Sequence, residues 1–327
     1  MKRIISIILL VLIAFSFGLA KDQKLAQTGM QFLSVATDGR GAAMGQAMTA
    51  IEAYSMAFFY NPASAAKMTK TMDLTASQNN WIAGIKHNAF SVAFNPSNGR
   101  FGVFGITARN IDYGDVDATI VAENDLGYID LGVMNPTALS VSVGYARSLT
   151  DKFAVGGNVG YVVQQLGQSV VPYGDSLQTK SNVAGGITVD FGTLYYTGWK
   201  SLAFGMSVRN FSGEIKYEDE GFQLPLTFSM GLSMDVLDLL PEKPQGQSLK
   251  LSVDALHYRS HPEQLNIGLE YGFANLVFAR AGYRTSEDIQ ALSFGIGLNI
   301  KGIVVDYAYT PTVDFVDVQR FTIGFAF

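Results

Sequence analysis

The chain has 327 residues, 48% of them hydrophobic and only 16% charged, with a formal net charge of −5 and no cysteine. That length accommodates one large all-β domain or two ordinary ones, and the abundance of Leu, Ile, Val and Phe excludes an intrinsically disordered chain. The negative balance argues against nucleic acid as a partner, and the lack of cysteine excludes both a disulfide framework and a thiolate metal site.

Residues 1–20 read as a separate segment. Lys2 and Arg3 give a positive start, residues 4–17 an apolar core, and Gly18, Leu19 and Ala20 a small-x-small cleavage site, the pattern of a secretory signal peptide. A membrane anchor is the alternative, but the apolar core is short and polar sequence begins directly after it. The expectation is an exported protein. After residue 20 no apolar run is long enough for a spanning helix.

Residues 21–70 are rich in small residues and lack the two-residue period of the chain beyond them. Gly39, Gly41 and Gly45 permit unusual φ and close backbone approach. Asn61, Pro62 and Ala63 form a helix-start signal, since an Asn cap accepts from a free backbone N–H and Pro at the next position loses nothing by lacking one. A short helix is therefore predicted over 62–68. Tyr54, Phe58, Phe59 and Tyr60 supply an aromatic patch. The segment is expected to act as a plug, or hatch, inside the lumen of the domain formed by the rest of the chain.

From 71 to 327 the pattern has period two. Leu139, Val141, Val143 and Tyr145 alternate with Ser140, Ser142, Gly144 and Ala146. Leu292, Phe294, Ile296, Leu298 and Ile300 alternate with Ser293, Gly295, Gly297 and Asn299. One face is apolar and the other small or polar, with few Lys or Glu, which fits lipid outside and a partly filled lumen inside. Abundant Gly, Tyr and Phe suit tight turns and aromatic girdles. The fold class read from this is all-β, a 14-stranded antiparallel transmembrane β-barrel with an N-terminal plug.

The strands are predicted at 71–81, 87–95, 100–113, 137–148, 152–165, 182–191, 200–211, 225–235, 248–257, 264–272, 276–284, 290–300, 302–310 and 319–327. Outward connections such as 114–136, 166–181 and 212–224 are long and polar. Inward ones such as 96–99 and 301–302 are short, as barrels of this class require. The inward connections at 192–199 and 236–247 are longer, and the second has room for a helical turn. In the third strand the apolar face switches after Val103, with Gly102 and Gly105 beside the slip. Either a β-bulge kinks the wall there and opens it sideways, or a strand boundary is misplaced. The last strand ends in Phe327 and resembles the signal by which outer-membrane barrels are recognised by their assembly machinery.

Inward-facing charges are predicted at Asp190, Arg209, Asp254, Glu270, Arg280, Arg284 and Asp306, either lining a polar path or pairing among themselves, with Arg40 as a natural partner. His257 and His261 have helical spacing but fall at a strand end and in a loop, so no metal site is expected. No Gly-x-Ser-x-Gly elbow, Walker motif or dinucleotide fingerprint occurs, and neither an enzyme nor a cofactor is expected.

The ordered set Phe32-Leu33, then residues 39–47 (Gly39, Arg40, Gly41, Met44 and Gly45 among them), then Tyr60-Asn61-Pro62-Ala63 resembles the PorV/PorQ family of outer-membrane proteins. That family is similar in turn to the FadL group of hydrophobic-compound transporters, which share a plugged 14-stranded barrel. The match departs from the commonest form at 38–40 and at Gln46. The resemblance implies the outer membrane of a Gram-negative-type bacterium, with lipid as surroundings. It further implies either a place in type IX secretion, with cargo C-terminal domains and secretion components as partners, or carriage of a hydrophobic ligand.

Overall fold

The computed structural model describes residues 28–173, 176–285 and 290–327, so the expected signal peptide lies outside the described residues. Strands β1 (Met72–Asn80), β2 (Lys86–Phe94) and β3 (Val103–Asp112) are followed by an outer hairpin, β4 (Val116–Val121) and β5 (Tyr128–Met134). Then come β6 (Thr137–Ser148), β7 (Phe153–Tyr173), β8 (Ser176–Tyr196) and β9 (Ala203–Phe211), and a second small hairpin, β10 (Ile215–Lys216) and β11 (Gly221–Phe222). The chain finishes with β12 (Thr227–Asp235), β13 (Gln247–Tyr258), β14 (Gln264–Phe273), β15 (Val277–Arg284), β16 (Leu292–Ile300), β17 (Ile303–Thr310) and β18 (Val318–Ala326).

Leaving out the two hairpins, fourteen strands form one closed antiparallel barrel in chain order, sealed where β1 pairs with β18 from Asp73↔Ala326 to Asn80↔Gln319. Closure pairs every strand on both sides and leaves no edge, which is what allows a sheet to stand in lipid. The two-residue period decides which way each side chain points. In β18, Phe321, Ile323 and Phe325 are exposed while Arg320, Thr322 and Gly324 are buried. In β16, Leu292, Phe294, Ile296 and Leu298 are exposed, and their large apolar groups form the outer band.

Three expectations are corrected. The stretch 166–181 is not a loop: β7 and β8 remain paired out to Tyr173↔Ser176, so a two-stranded ribbon extends the wall. The stretch 114–136 carries the β4–β5 hairpin instead of irregular chain. The suspected kink at Gly102 and Gly105 does not occur. Phe101 lies in the turn before β3, Gly102 takes φ +80° and resets the phase, and β3 begins at Val103. From there β3 pairs with β2 and with β6 in unbroken register, so the wall has no bulge at this point.

Within the barrel the register shifts between Gln165 and Gln168 on β7 and between Val189 and Phe191 on β8. At the second shift Asn210 of β9 has φ +60°, and its N–H donates to the Asp190 carboxylate at 2.7 Å. The side chain of Asp190 takes up a donor that the ladder leaves over, as a buried N–H requires. The connection after β12 carries a 3-10 turn, Val236–Leu239, capped by Asp235, whose carboxylate accepts from the Leu237 N–H. Lys243 closes that turn, its Nζ reaching Asp235 and Asp238 at 2.7 Å each.

Candidate functional site

Residues 28–68 run among the inward faces of the strands, as a chain of short turns. Asp38 caps the short helix Gly39–Ala43, its Oδ2 accepting from the Gly41 N–H at 2.9 Å. Asn61 caps the 3-10 turn Pro62–Lys67 in the same manner, its Oδ1 accepting from the Ala63 N–H at 3.1 Å. The Asn61 side chain is fully buried, and its amide also donates to the carbonyls of Thr49 (2.6 Å) and Thr193 on β8 (3.0 Å). A single side chain therefore starts the 3-10 turn and ties it both to Thr49 and to the wall.

The wall makes room with glycine. A Cβ on Gly105 or Gly144 would collide with the Phe58 ring, on Gly156 with the backbone at Pro62 and Ala63, and on Gly192 with Asn61. Gly231, Gly268 and Gly282 face Thr49, Met44 and Gly45 equally closely. Within the segment, Gly39 donates its N–H to Thr322 at 2.8 Å, and a Cβ on Gly41 would strike the Tyr60 hydroxyl. Gly45, at φ +60°, lies against the β15 backbone at Tyr283. Small inward residues on successive strands are thus the complement of this segment.

Charged and polar contacts hold it further. Arg40 grips Glu270 through Nε–Oε2 at 2.8 Å and Nη2–Oε1 at 2.9 Å, and its Nη1 donates to the Glu52 carbonyl. Arg280 shares the same carboxylate at 2.6 Å and turns its other arm to Asp306, also at 2.6 Å. Four of the groups named from the sequence thus form one network, with the charges of both signs in equal number. Asp254 accepts from the Thr49 N–H at 2.8 Å, and Arg209 donates to the Phe59 carbonyl at 3.0 Å. Asp190 lies beside Asn158, whose amide donates to the Phe58 carbonyl at 2.6 Å. Arg284 stands apart from the network, donating to Gln290. Asp38, Asp73, Arg109, Asn158 and Arg320 were not singled out from the sequence. Each of the four that lies on a strand (Asp73, Arg109, Asn158, Arg320) occupies an inward position, so strand parity carried the signal. Arg109 donates to the Leu33 carbonyl and stacks on the Phe59 ring at 4.6 Å.

Cavities lie on both sides of the segment. One of about 480 Å³ opens toward the long connections and is lined by Phe32, Val35, Trp81, Tyr113, Gln164 and Gln290 among others. The other, about 270 Å³, opens toward the short turns beside Arg40, Glu52, Lys250 and Asn299. His257 contacts Glu263 at 3.3 Å and His261 contacts Ser260, and among the described residues no cluster of His, Cys, Asp or Glu suited to a metal ion is found.

A closed 14-stranded antiparallel barrel with an apolar outer band, a polar lining and short turns at one end defines an outer-membrane β-barrel protein. Within that class the chain belongs to the type IX secretion system membrane protein PorP/SprF family, whose family model matches residues 49–318. This corrects the expected PorV/PorQ membership. Most of the stretch that carried that resemblance, Phe32 to Ala47, precedes the matched region, whereas the barrel, which the resemblance barely used, fills it. No curated protein sequence matches this one.

Among solved structures the chain is similar to the toluene transporter TbuX of Ralstonia pickettii, with a TM-score of 0.61, 14% identity, and coverage of 89% of this chain and 98% of that one. It is also similar to the monoaromatic hydrocarbon channel CymD, with a TM-score of 0.59, 12% identity, and coverage of 90% and 98%. The toluene transporter TodX of Pseudomonas putida gives a TM-score of 0.57, 12% identity, and coverage of 88% and 96%. At such identities these likenesses show a shared fold.

Proposed function

We propose that this protein is a non-enzymatic outer-membrane component of type IX secretion whose lumen is closed by residues 28–68, and which works through its surfaces and not as a conduit. On this reading residues 1–20 are a cleaved signal peptide, 21–70 the plug and 71–327 the barrel, and the strand ending in Phe327 is read by the barrel-assembly machinery. The observation that carries the proposal is the Arg40–Glu270 clamp, joined by Asn61 and Asp254. Charged and buried polar contacts spread around the wall make displacement of the segment costly, since each broken one leaves a buried group unpaired.

Surfaces remain for partners. The β4–β5 hairpin exposes Val121, Leu126, Tyr128 and Ile129 beyond the barrel. Secretion components and cargo C-terminal domains are the proposed partners. Affinity capture of the full chain from outer membranes tests this. Recovery of type IX components or of a cargo C-terminal domain supports the proposal, and a lone barrel together with normal export in a deletion strain contradicts it.

A second reading, carriage of a hydrophobic small molecule, is favoured by the cavity of about 480 Å³ and by the fold shared with the toluene transporters. Toluene uptake by cells with and without the protein separates the two, because only the second reading predicts a difference.

A further inference from the structure

On the outer wall, the seam where β1 meets β18 carries a depression of about 450 Å³ with almost wholly apolar walls. Ala76 makes it. In register, Ala76 faces Ile323 on one side and Phe90 on the other, and Leu74 faces Phe325 and Val92, so one methyl group stands amid large side chains. Ile303 of β17, opposite Phe325, completes the rim. The depression is part of the exposed apolar band, so membrane lipid is its natural surroundings.

The charge around it is uneven. The short-turn end of these four strands exposes Lys70 before β1, Arg100 after β2 and Lys301 before β17. None of the three has an ion-pair partner among the described residues, and the turns at 69–71, 95–102 and 301–302 hold no carboxylate side chain. At the opposite end of the same strands the β17–β18 connection carries Asp314 and Asp317, against one exposed cation, Lys86 at the start of β2. Leu74 and Ala76 lie two and four residues inside β1, about 7–13 Å along the strand from its end at about 3.3 Å per residue. A molecule with a phosphate at the cationic rim places its hydrocarbon chain over Ala76 at that depth.

We propose that this seam is a binding site for one membrane glycerophospholipid, its acyl chain lying in the depression and its phosphate facing Lys70, Arg100 and Lys301. The commitment to a phospholipid rests on the apolar lining within the lipid-facing band and on the cations at its short-turn rim. Neither feature depends on the secretion reading.

The full chain, extracted from outer membranes in mild detergent and examined by native mass spectrometry, tests the site. The expected result is one retained phospholipid per barrel, with an anionic headgroup such as phosphatidylglycerol preferred when mixed vesicles of phosphatidylglycerol and phosphatidylcholine are supplied. Ala76→Trp fills the depression and lowers retention about tenfold, the loss of a few buried methylenes. Lys70→Glu with Arg100→Glu and Lys301→Glu removes the headgroup preference and leaves the depression intact. Heat-dependent gel mobility verifies that each variant is folded, and Leu232→Trp on β12, across the barrel from the seam, controls for a bulky outward side chain. Retention by Ala76→Trp equal to that of the parent, or no lipid retained by the parent, overturns the proposal.

Discussion

Arg40 and Glu270, 230 residues apart in the chain, meet in a two-pronged ion pair at 2.8 and 2.9 Å, and the same carboxylate is shared with Arg280 of the neighbouring strand. The pair ties the inner segment to β14. Glu270 is almost fully buried and Arg40 about one-fifth exposed, so the attraction is only partly screened by water.

Arg40→Ala is expected to destabilise the folded barrel by about 2–3 kcal/mol, below the upper range for a broken buried pair because Arg280 still serves Glu270. In a double-mutant cycle with Glu270→Gln the coupling is expected at about 2 kcal/mol. Urea unfolding in lipid bilayers measures both.

Asn61→Ala removes the cap on the 3-10 turn and leaves the Thr49 and Thr193 carbonyls without this donor. The expected cost is about 2 kcal/mol, from one lost cap and a buried unpaired acceptor. Hydrogen exchange should show it as faster exchange in residues 49–63, with the strand amides little changed.

Gly144→Leu places a side chain where the Phe58 ring now lies, since even a Cβ there would stand 2.5 Å from Phe58 Cδ1. The segment should be displaced and become cleavable by added protease. Adding Phe58→Ala should restore much of the protection, because the space is then shared. No rescue would argue that the clash with Asn158 Oδ1, which stands closer still to the same Cβ, decides the outcome instead.

Trimming the β4–β5 hairpin to a short turn should leave heat-dependent gel mobility unchanged, because the hairpin is outside the closed ladder. The same deletion should abolish capture of secretion components if its exposed apolar residues are their docking surface.

Much of the barrel was legible because a strand turns alternate side chains to opposite faces. Leu292, Phe294 and Ile296 announce the outside, and their partners in parity announce the lumen. By the same parity Asp254, Glu270, Arg280 and Asp306 fall inward. The pairing of these charges was not legible, since it depends on how β14, β15 and β17 stand side by side and on where residue 40 enters. The switch at Gly102 misled for a local reason: a positive φ in a turn changes phase as a bulge would, and one sequence does not separate the two. The ribbon at 166–181 was missed because Gln, Ser and Thr there lack an apolar face. Those strands extend past the apolar band, so the alternation that marks the wall is not required of them.

The central claim is that residues 28–68 close the lumen, and single-channel recording of the full chain in a planar bilayer tests it most directly. The account predicts no steady conductance from the intact protein and an open, stable conductance once residues 28–68 are deleted. A steady conductance through the intact protein would contradict it.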